Sequence, residues 1–409
     1  MKDIIVIGGG ASGLVAAIYA SKLGKKVTIL EKNKVCGKKI LITGNGKCNY
    51  YNEDQDISHY HSNNIEIYKS ILTKENLEEI ENLFMSLGIV SKIKDGYYYP
   101  YSGQATTIQT ALLKECELNK VEIITETEVL DIKKENNTYI INTTNGTFKS
   151  NKVMLSTGSM ACPKTGSDGL GYNILTNLGH SLIKPLPALV QLKGKASYLK
   201  DWHGVRADVS VSLLENNKLV STRVGEIQLT DYGVSGICVF CLSGMASRGL
   251  YEHKKEQVKI NFLHHFGLNN KDEFIDWMNT RNKLVKGRSI SDLLDGLLNY
   301  KLINLLLKLS KIERTLRWND LSYEKKCLLG DNLTNFILDI IETNSYEYAQ
   351  TVTGGIPLTE INHNTMESIY NKGLYITGEL LDIDGDCGGY NLTNAWITGY
   401  LAGKGSSND

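Results

Sequence analysis

The sequence predicts an α/β protein in which a Rossmann-type dinucleotide-binding domain is interrupted by a β-rich segment and a small helical subdomain. Three observations predict it. The chain opens on an apolar run at 3–7 (DIIVI), a glycine turn and the helical run "LVAAIYASKLG". Its last forty residues repeat that order, with the strand "LYITGE", a glycine loop and a helix. Between them the texture changes: 190–262 alternates like antiparallel strands, 271–342 is helical, and strand-like sequence returns near 348–358. At 409 residues the chain exceeds one simple core. The expected division is 1–189 and 358–409 for the dinucleotide domain, 190–270 and 343–357 for the β-rich domain, and 271–342 for the helical insert.

The elements follow in order. A continuously apolar strand at 3–7 suits the middle of a parallel sheet. The helix after it stops at Gly24, a C-cap residue, and "KVTIL" leads to Glu31, completing a βαβ unit. A polar, tyrosine-containing stretch at 50–70 precedes a helix near 74–87 that ends at Gly88. "GYYYPYSGQA" turns into a further helix over 104–119. Short strands follow, with turns at Asn136-Asn137 and Asn145-Gly146, and the last of them, at 153–155, meets Thr157-Gly158. In the β-rich segment "ADVSVSLL" and "KLVSTRV" flank a turn at Asn216-Asn217, and "VKINFL" comes after. Ser289 and Asp292 have capping-box spacing and open "DLLDGLLNYKLINLLLKLSKI", whose leucines read as core.

Composition excludes several classes. Lys+Arg and Asp+Glu both number 45, so the net charge is zero, and no basic stripe invites nucleic acid or an anionic membrane. No run of 18 apolar residues occurs, and Asp3 and three glycines interrupt the stretch a secretory signal would need. Eight scattered cysteines form no disulfide framework, which points to reduced thiols and a cytoplasmic location. Cys238 and Cys241 have CxxC spacing inside an apolar run without a second pair, so they read as packing. No metal-ligand spacing stands out, and the oligomeric state is left open.

Gly8-x-Gly10-x-x-Gly13 is the dinucleotide fingerprint: the first glycine turns the chain, the second admits a pyrophosphate, and the third lets helix and strand pack closely. The phosphate would sit on the helix N-terminus around Ala11 and Ser12. Glu31, 18 residues after Gly13, suits the adenosine ribose hydroxyls and would repel a 2′-phosphate. The fingerprint does not separate NAD from FAD, but the C-terminus does. Gly378-Glu379 suits contact with a sugar alcohol. Gly388-Gly389-Tyr390-Asn391 opens a second helix whose N–H groups would face the anionic edge of a reduced flavin. A ligand gripped at both ends of the chain is long, and FAD fits. The second glycine loop, "GKKILITGNGKCNYYN", reads as the other wall of the same site. There Gly44 and Gly46 let backbone approach, Lys39 or Lys47 neutralises diphosphate charge, and Cys48 and Asn49 lie nearer the chemistry. Lys32 and Thr43 complete the candidate contacts on these loops.

Together "VIGGGASGLVAA", "GKKILITGNGKCNYYN", "STGSMACPKTGSDGLGYNILTNLGH", "QLTDYGVSG", "TVTGGIPLTEI" and "LYITGELLDIDGDCGGYNLTNAWITGYLAG" resemble the successive signatures of the bacterial BaiN-like flavoproteins. These are NAD(P)/FAD-dependent oxidoreductases that include the bile-acid-inducible flavoprotein and aminoacetone oxidase. The resemblance covers nearly the whole chain and is most specific in the second and last motifs. It implies a glutathione-reductase-like FAD domain interrupted by a β-barrel-like segment and a small helical insert. Carried onto this sequence, it sets FAD against Gly8, Gly10, Ser12, Gly13 and Glu31 at the adenosine end. The loop from Lys39 to Asn49 would follow the diphosphate, the backbone of Val129 would touch adenine, and Thr157-Gly158 would close the sheet side. Gly378-Glu379 and Gly388, Gly389, Tyr390, Asn391 and Leu392 would hold the ribitol and isoalloxazine. Lys47 stands where many relatives carry Arg, which keeps the charge but loses the bidentate fork, and Cys387 stands where Thr is common.

The expected activity is FAD-dependent reduction, with NAD(P)H, of a small organic or steroid-like substrate through hydride transfer at flavin N5, acting on a bond such as a conjugated C=C. Only one fingerprint is present, so NAD(P)H would dock transiently over the flavin. The flavin carries the hydride chemistry, and no catalytic side chain is assigned. His203 and Tyr232 read as loop or packing residues before proton donors, and His264-His265 as structural. Cys48 lacks a partner at CxxxxC spacing, which argues against a dithiol mechanism. The alternatives are an FAD-dependent amine oxidase that forms hydrogen peroxide from O2, and a flavin-binding redox or RNA-modifying module.

Overall fold

The computed structural model describes residues 2–285 and 287–407. The chain forms two compact units, one running to Leu186 and resuming at Gln350, the other Pro187–Ala349. Each has its own apolar core. Among the described residues no helix is long and apolar enough to cross a membrane.

The first unit is built on strand β1 (Lys2–Ile7), whose Ile4, Ile5 and Val6 have no solvent exposure. Side chains apolar on both faces require cover on both faces, so β1 lies mid-sheet. It pairs in parallel with β2 (Val27–Leu30) and β6 (Gly146–Leu155), and helix α1 (Ala11–Lys22) makes the crossover from β1 to β2. β3 (Glu122–Ile124) continues beyond β2. β4 (Val129–Glu135) and β5 (Thr138–Thr143) form an antiparallel meander with the first half of β6, and β7 (Leu374–Ile376) joins its second half in parallel. The order is β3-β2-β1-β6-β5-β4, with β7 on β6. The parallel strands therefore end on one edge, which is where open α/β sheets bind ligands.

Helix α2 (Tyr390–Gly405) packs directly on α1. A Cβ at Gly399 would lie 2.4 Å from the Ser12 carbonyl oxygen, and one at Gly403 2.6 Å from that of Ala16. Two glycines one turn apart thus bring the backbones of these helices into contact.

The second unit is built on a closed antiparallel barrel. Strands Leu192–Gly194, Arg206–Glu215, Lys218–Leu229, Gly233–Ser235, Glu256–Asn261 and Phe336–Thr343 close a six-stranded barrel. Val209, Val211 and Leu213 alternate into its core. Three sequence expectations change here. Residues Ile237–Tyr251, expected among strands, form a helix because buried Cys238, Leu242 and Ala246 recur at helical spacing. The capping box at Ser289 and Asp292 is present, but its helix ends at Leu294; Gly296 adopts φ +80° and Asn299 caps a new helix, Tyr300–Leu309. The helical stretch also stops short of 342, since Phe336–Thr343 alternates and pairs with Glu256–Asn261 and Leu192–Gly194 to complete the barrel.

Candidate cofactor site

The three fingerprint glycines are small for three different reasons. Gly8 takes φ +97°, and a Cβ there would lie 2.5 Å from the Ser156 carbonyl oxygen. Gly13 faces Gly8 so closely that a Cβ would come within 2.0 Å of its carbonyl oxygen, which is the tight strand–helix contact. Gly10 is different: its backbone is extended at φ −80°, and the nearest protein atom to an added Cβ is 3.9 Å away. The fold itself leaves room at Gly10. No side chain caps α1, so the free N–H groups of its first turn, from Ala11 to Gly13, open onto that room. The Ser12 hydroxyl turns away, accepting from Thr377 at 3.0 Å, and Thr377 also contacts Ser156 at 2.8 Å.

Glu31, at the end of β2, is buried at 7 % exposure. Its Oε2 accepts from Gly9 N at 2.8 Å and its Oε1 from the Asn33 backbone and side chain at 2.8 and 2.7 Å. Cys36 lies beneath Gly9, and burial, then the Glu31 charge, push its thiol pKa up to about 12. Lys32 pairs with Asp168 at 2.5 Å. That pair brings in a segment that belongs to the family signatures but was not assigned to the cofactor from sequence: Gly166 and Gly169 both take positive φ, and Thr165 O accepts from Asn33 Nδ2 at 3.2 Å. Its glycine spacing was visible, but its place beside Glu31 required the fold. Val129, the buried first residue of β4, pairs with Thr143. After β6, the Thr157 hydroxyl is buried without a hydrogen-bond partner among the described residues, and Gly158 at φ +76° faces Ser167.

The second loop is a 3-10 turn over Ile40–Gly46 that breaks at Thr43, whose hydroxyl donates to Ile40 O at 2.7 Å. Gly44, Asn45, Gly46 and Cys48 all adopt left-handed backbone. Lys47 is exposed, while Cys48 is fully buried, and burial pushes its thiol up to about 11. The Asn49 amide donates to Tyr51 O at 2.9 Å and Tyr98 O at 3.1 Å. Lys39 reaches Glu379 at 2.7 Å, and Ser159 donates to the same carboxylate at 2.7 Å. The structure therefore joins the second loop to the C-terminal Gly-Glu turn. In it the Lys39 ammonium is held by the Glu379 carboxylate, while Lys47 is exposed.

Gly378 sits against Ser12, and its N–H donates to Thr398 at 2.9 Å. Gly388 and Gly389 take φ +146° and +96°; a Cβ on Gly389 would strike the Tyr51 backbone at 2.8 Å. They deliver the chain to α2, whose N-terminus no side chain caps. Asn391 is not aimed outward: its amide bridges both backbone groups of Gly385, at 2.8 and 2.9 Å. Tyr390 is buried, stacked on His59 at 4.6 Å and edge-on to Tyr60, and Leu392 packs against the core. These three hold the turn in place. Sequence reasoning missed Asp386, which is buried and meets His59 Nδ1 at 3.2 Å and His61 Nε2 at 3.3 Å. No local signal marks that pairing, because the partners are more than 300 residues apart. His203 and Tyr232 lie exposed on the second unit.

Comparison with known proteins fits this geometry. Over 409 residues the chain is 39% identical to a 3-dehydro-bile acid delta(4,6)-reductase of Clostridium scindens, covering 100% of this chain and 99% of that one. It is 28% identical to a ribosomal RNA dihydrouridine synthase of Haemophilus influenzae, over 98% of this chain and 97% of that one. Among solved structures, an open flavocytochrome c3 fumarate reductase matches at TM-score 0.50 and 14% identity, over 99% of this chain and 78% of that one. The 3-ketosteroid delta1-dehydrogenase of Sterolibacterium denitrificans matches at TM-score 0.50 and 10% identity, over 99% of both chains. At such identities these two establish the fold alone. The model of the HI0933-like protein Rossmann domain matches residues 2–405, and with the full-length likeness at 39% this chain belongs to that family, bearing out the BaiN-like resemblance of its motifs.

Proposed function

We propose that the protein is an FAD-dependent oxidoreductase that saturates a conjugated carbon–carbon double bond in a small organic or steroid-like substrate, with NAD(P)H as electron donor. The observation that carries this reading is the full-length identity to a protein named for delta(4,6) reduction of a 3-dehydro-bile acid.

The residues present fit the cofactor. Packing gives no reason for a glycine at Gly10, whereas a diphosphate approaching the backbone does. Gly10 and the first turn of α1 would take that diphosphate, worth about 0.3–1 kcal/mol per charge and more when partly buried. Glu31 would receive the ribose hydroxyls on the lone pairs left beside its bonds to Gly9 and Asn33. Val129 would meet adenine through its backbone, and Thr157-Gly158 would close the sheet side. The N-terminus of α2, held by Gly388 and Gly389, would face the anionic edge of the ring. Bound isoalloxazine supplies hydride chemistry at its own N5. The chain's part is to bind, orient and exclude water, with Glu379 tethered by Lys39 and Ser159 at the ribitol side.

A second reading rests on the two ribosomal RNA dihydrouridine synthases, 28% and 26% identical. A delta(4,6)-reductase and a dihydrouridine synthase share one step, addition of hydrogen across a C=C bond, so RNA is the competing substrate class. Zero net charge counts against it.

The test is anaerobic mixing of the purified yellow protein with NADH or NADPH, followed by a 3-oxo-4,6-diene steroid or a uridine-containing RNA. Prompt bleaching and recolouring by the steroid is the expected result. Recolouring by RNA alone would move the substrate to RNA. No bleaching by either nucleotide, but bleaching by an amine and recolouring in air, would replace the reductase with an oxidase.

A further inference from the structure

The second unit carries a polar recess of about 150 Å³ that the proposed reaction does not use. One wall is the outer face of the barrel. Ser210 and Ser212 alternate on one strand, and across the ladder they face Asn261 and Lys259 in register. The other wall comes from His264, Asn269, Thr334 and Asn335. Every lining residue is polar and none is a carboxylate.

Most of these groups are already committed, which stiffens the walls. Asn261 donates to Leu268 O at 2.9 Å and accepts from Leu263 N at 2.8 Å. Ser212 contacts the Thr222 hydroxyl at 2.8 Å, and Thr334 donates to Gly330 O at 2.8 Å. Glu273, beside the recess, spends its oxygens on Asn269 and Asn270. Against this, the side chains of Lys259 and Ser210 make no hydrogen bond or ion pair among the described residues. A half-buried ammonium without a counter-charge, set among neutral donors, is a poor structural choice and a good anion receptor.

We propose that this recess binds a tetrahedral oxyanion, a phosphate group either free or carried on a small metabolite, through the Lys259 ammonium, the Ser210 hydroxyl and the His264 ring. The cleft is large enough for such a group with some of its water, and too small for a dinucleotide. Lysine suits it as a point charge that can follow a rotating phosphate.

The test is calorimetric titration of the purified full-length protein with inorganic phosphate and, separately, adenosine 5′-monophosphate, at fixed ionic strength in chloride. Saturable one-site binding is expected. Lys259→Met weakens it by about tenfold or more and Lys259→Arg by about threefold at most. Tighter binding of the nucleotide to the flavin-loaded protein, weakened by Lys259→Met, assigns the site to a phosphorylated metabolite, and equal binding to free phosphate. Absence of saturable binding with both probes, or equal affinity in wild type and Lys259→Met, overturns the proposal. If Lys259→Met loses its native circular dichroism, Ser210→Ala takes its place, with about threefold weaker binding expected and unchanged binding counting against the site.

Discussion

The two glycine loops that border the candidate cofactor site are built on opposite principles. In the first, Gly8 and Gly13 are fixed from outside, because neighbouring backbone leaves no volume for a methyl group. In the second, a Cβ on Gly44 would crowd only its own loop, 2.9 Å from the Asn49 nitrogen, Gly46 has nothing nearer than 3.9 Å, and what both need is a left-handed backbone. Nearby Asn45 and Cys48 hold the same conformation with side chains attached; asparagine tolerates it, while for Cys48 it costs about 1–2 kcal/mol. The first loop is a moulding of the sheet; the second is a self-made turn that the sheet does not dictate. Strain persisting in a loop of this kind is the pattern seen where a backbone must meet a ligand.

That contrast can be broken by substitution. Gly13→Ala should cost about 3 kcal/mol in urea unfolding, since its Cβ would overlap the Gly8 carbonyl; a change below 1 kcal/mol, on the same order-of-magnitude scale, would mean the contact relaxes freely. Gly10→Val should separate binding from folding: an unfolding curve within about 1 kcal/mol of flavin-free wild type, with flavin absent after gel filtration. Normal flavin content in the folded variant would sink the fingerprint reading. Glu31→Ala strands the Gly9 N–H and should release flavin on dialysis about tenfold faster, at about 1–2 kcal/mol in stability. Gly46→Ala should cost only about 1 kcal/mol, from conformation alone; a loss as large as that at Gly13 would erase the distinction between the loops.

The smallest effect concerns two buried cysteines, Cys36 beneath Gly9 and Cys48 in the second loop. Burial raises the thiols of Cys36 and Cys48 to about 12 and about 11. At pH 8 roughly one in a thousand or fewer of either would be thiolate, so iodoacetamide should spare both while modifying the more open Cys162. Mass-spectrometric labelling of Cys48 at that pH would show the second loop opening on its own.

The parts legible in sequence were those with short-range signatures. The βαβ unit, the fingerprint and the two terminal glycine loops each carry their pattern within about thirty residues. The alternating strands of the barrel were visible too, but its closing strand was absorbed into a helical stretch, because alternation over Phe336–Thr343 follows directly on a helix with no proline or glycine between. The helix Ile237–Tyr251 hid for the converse reason: apolar residues all round it mask its period. Inside the site the limit was partner identity. The Asn391 side chain is engaged by Gly385 and the Lys39 ammonium by Glu379. Neither partner can be inferred from local spacing.

The contact of Gly399 and Gly403 with α1 has a consequence for how the molecule is made. Thr377 bonds Ser12 across 365 residues, and α2 lies on the helix that would carry the diphosphate. During synthesis the fingerprint emerges well before β7 and α2, and that face stays unsupported until both have left the ribosome. Flavin capture thus becomes a late event, gated by elongation rather than by the early appearance of the nucleotide-binding motif.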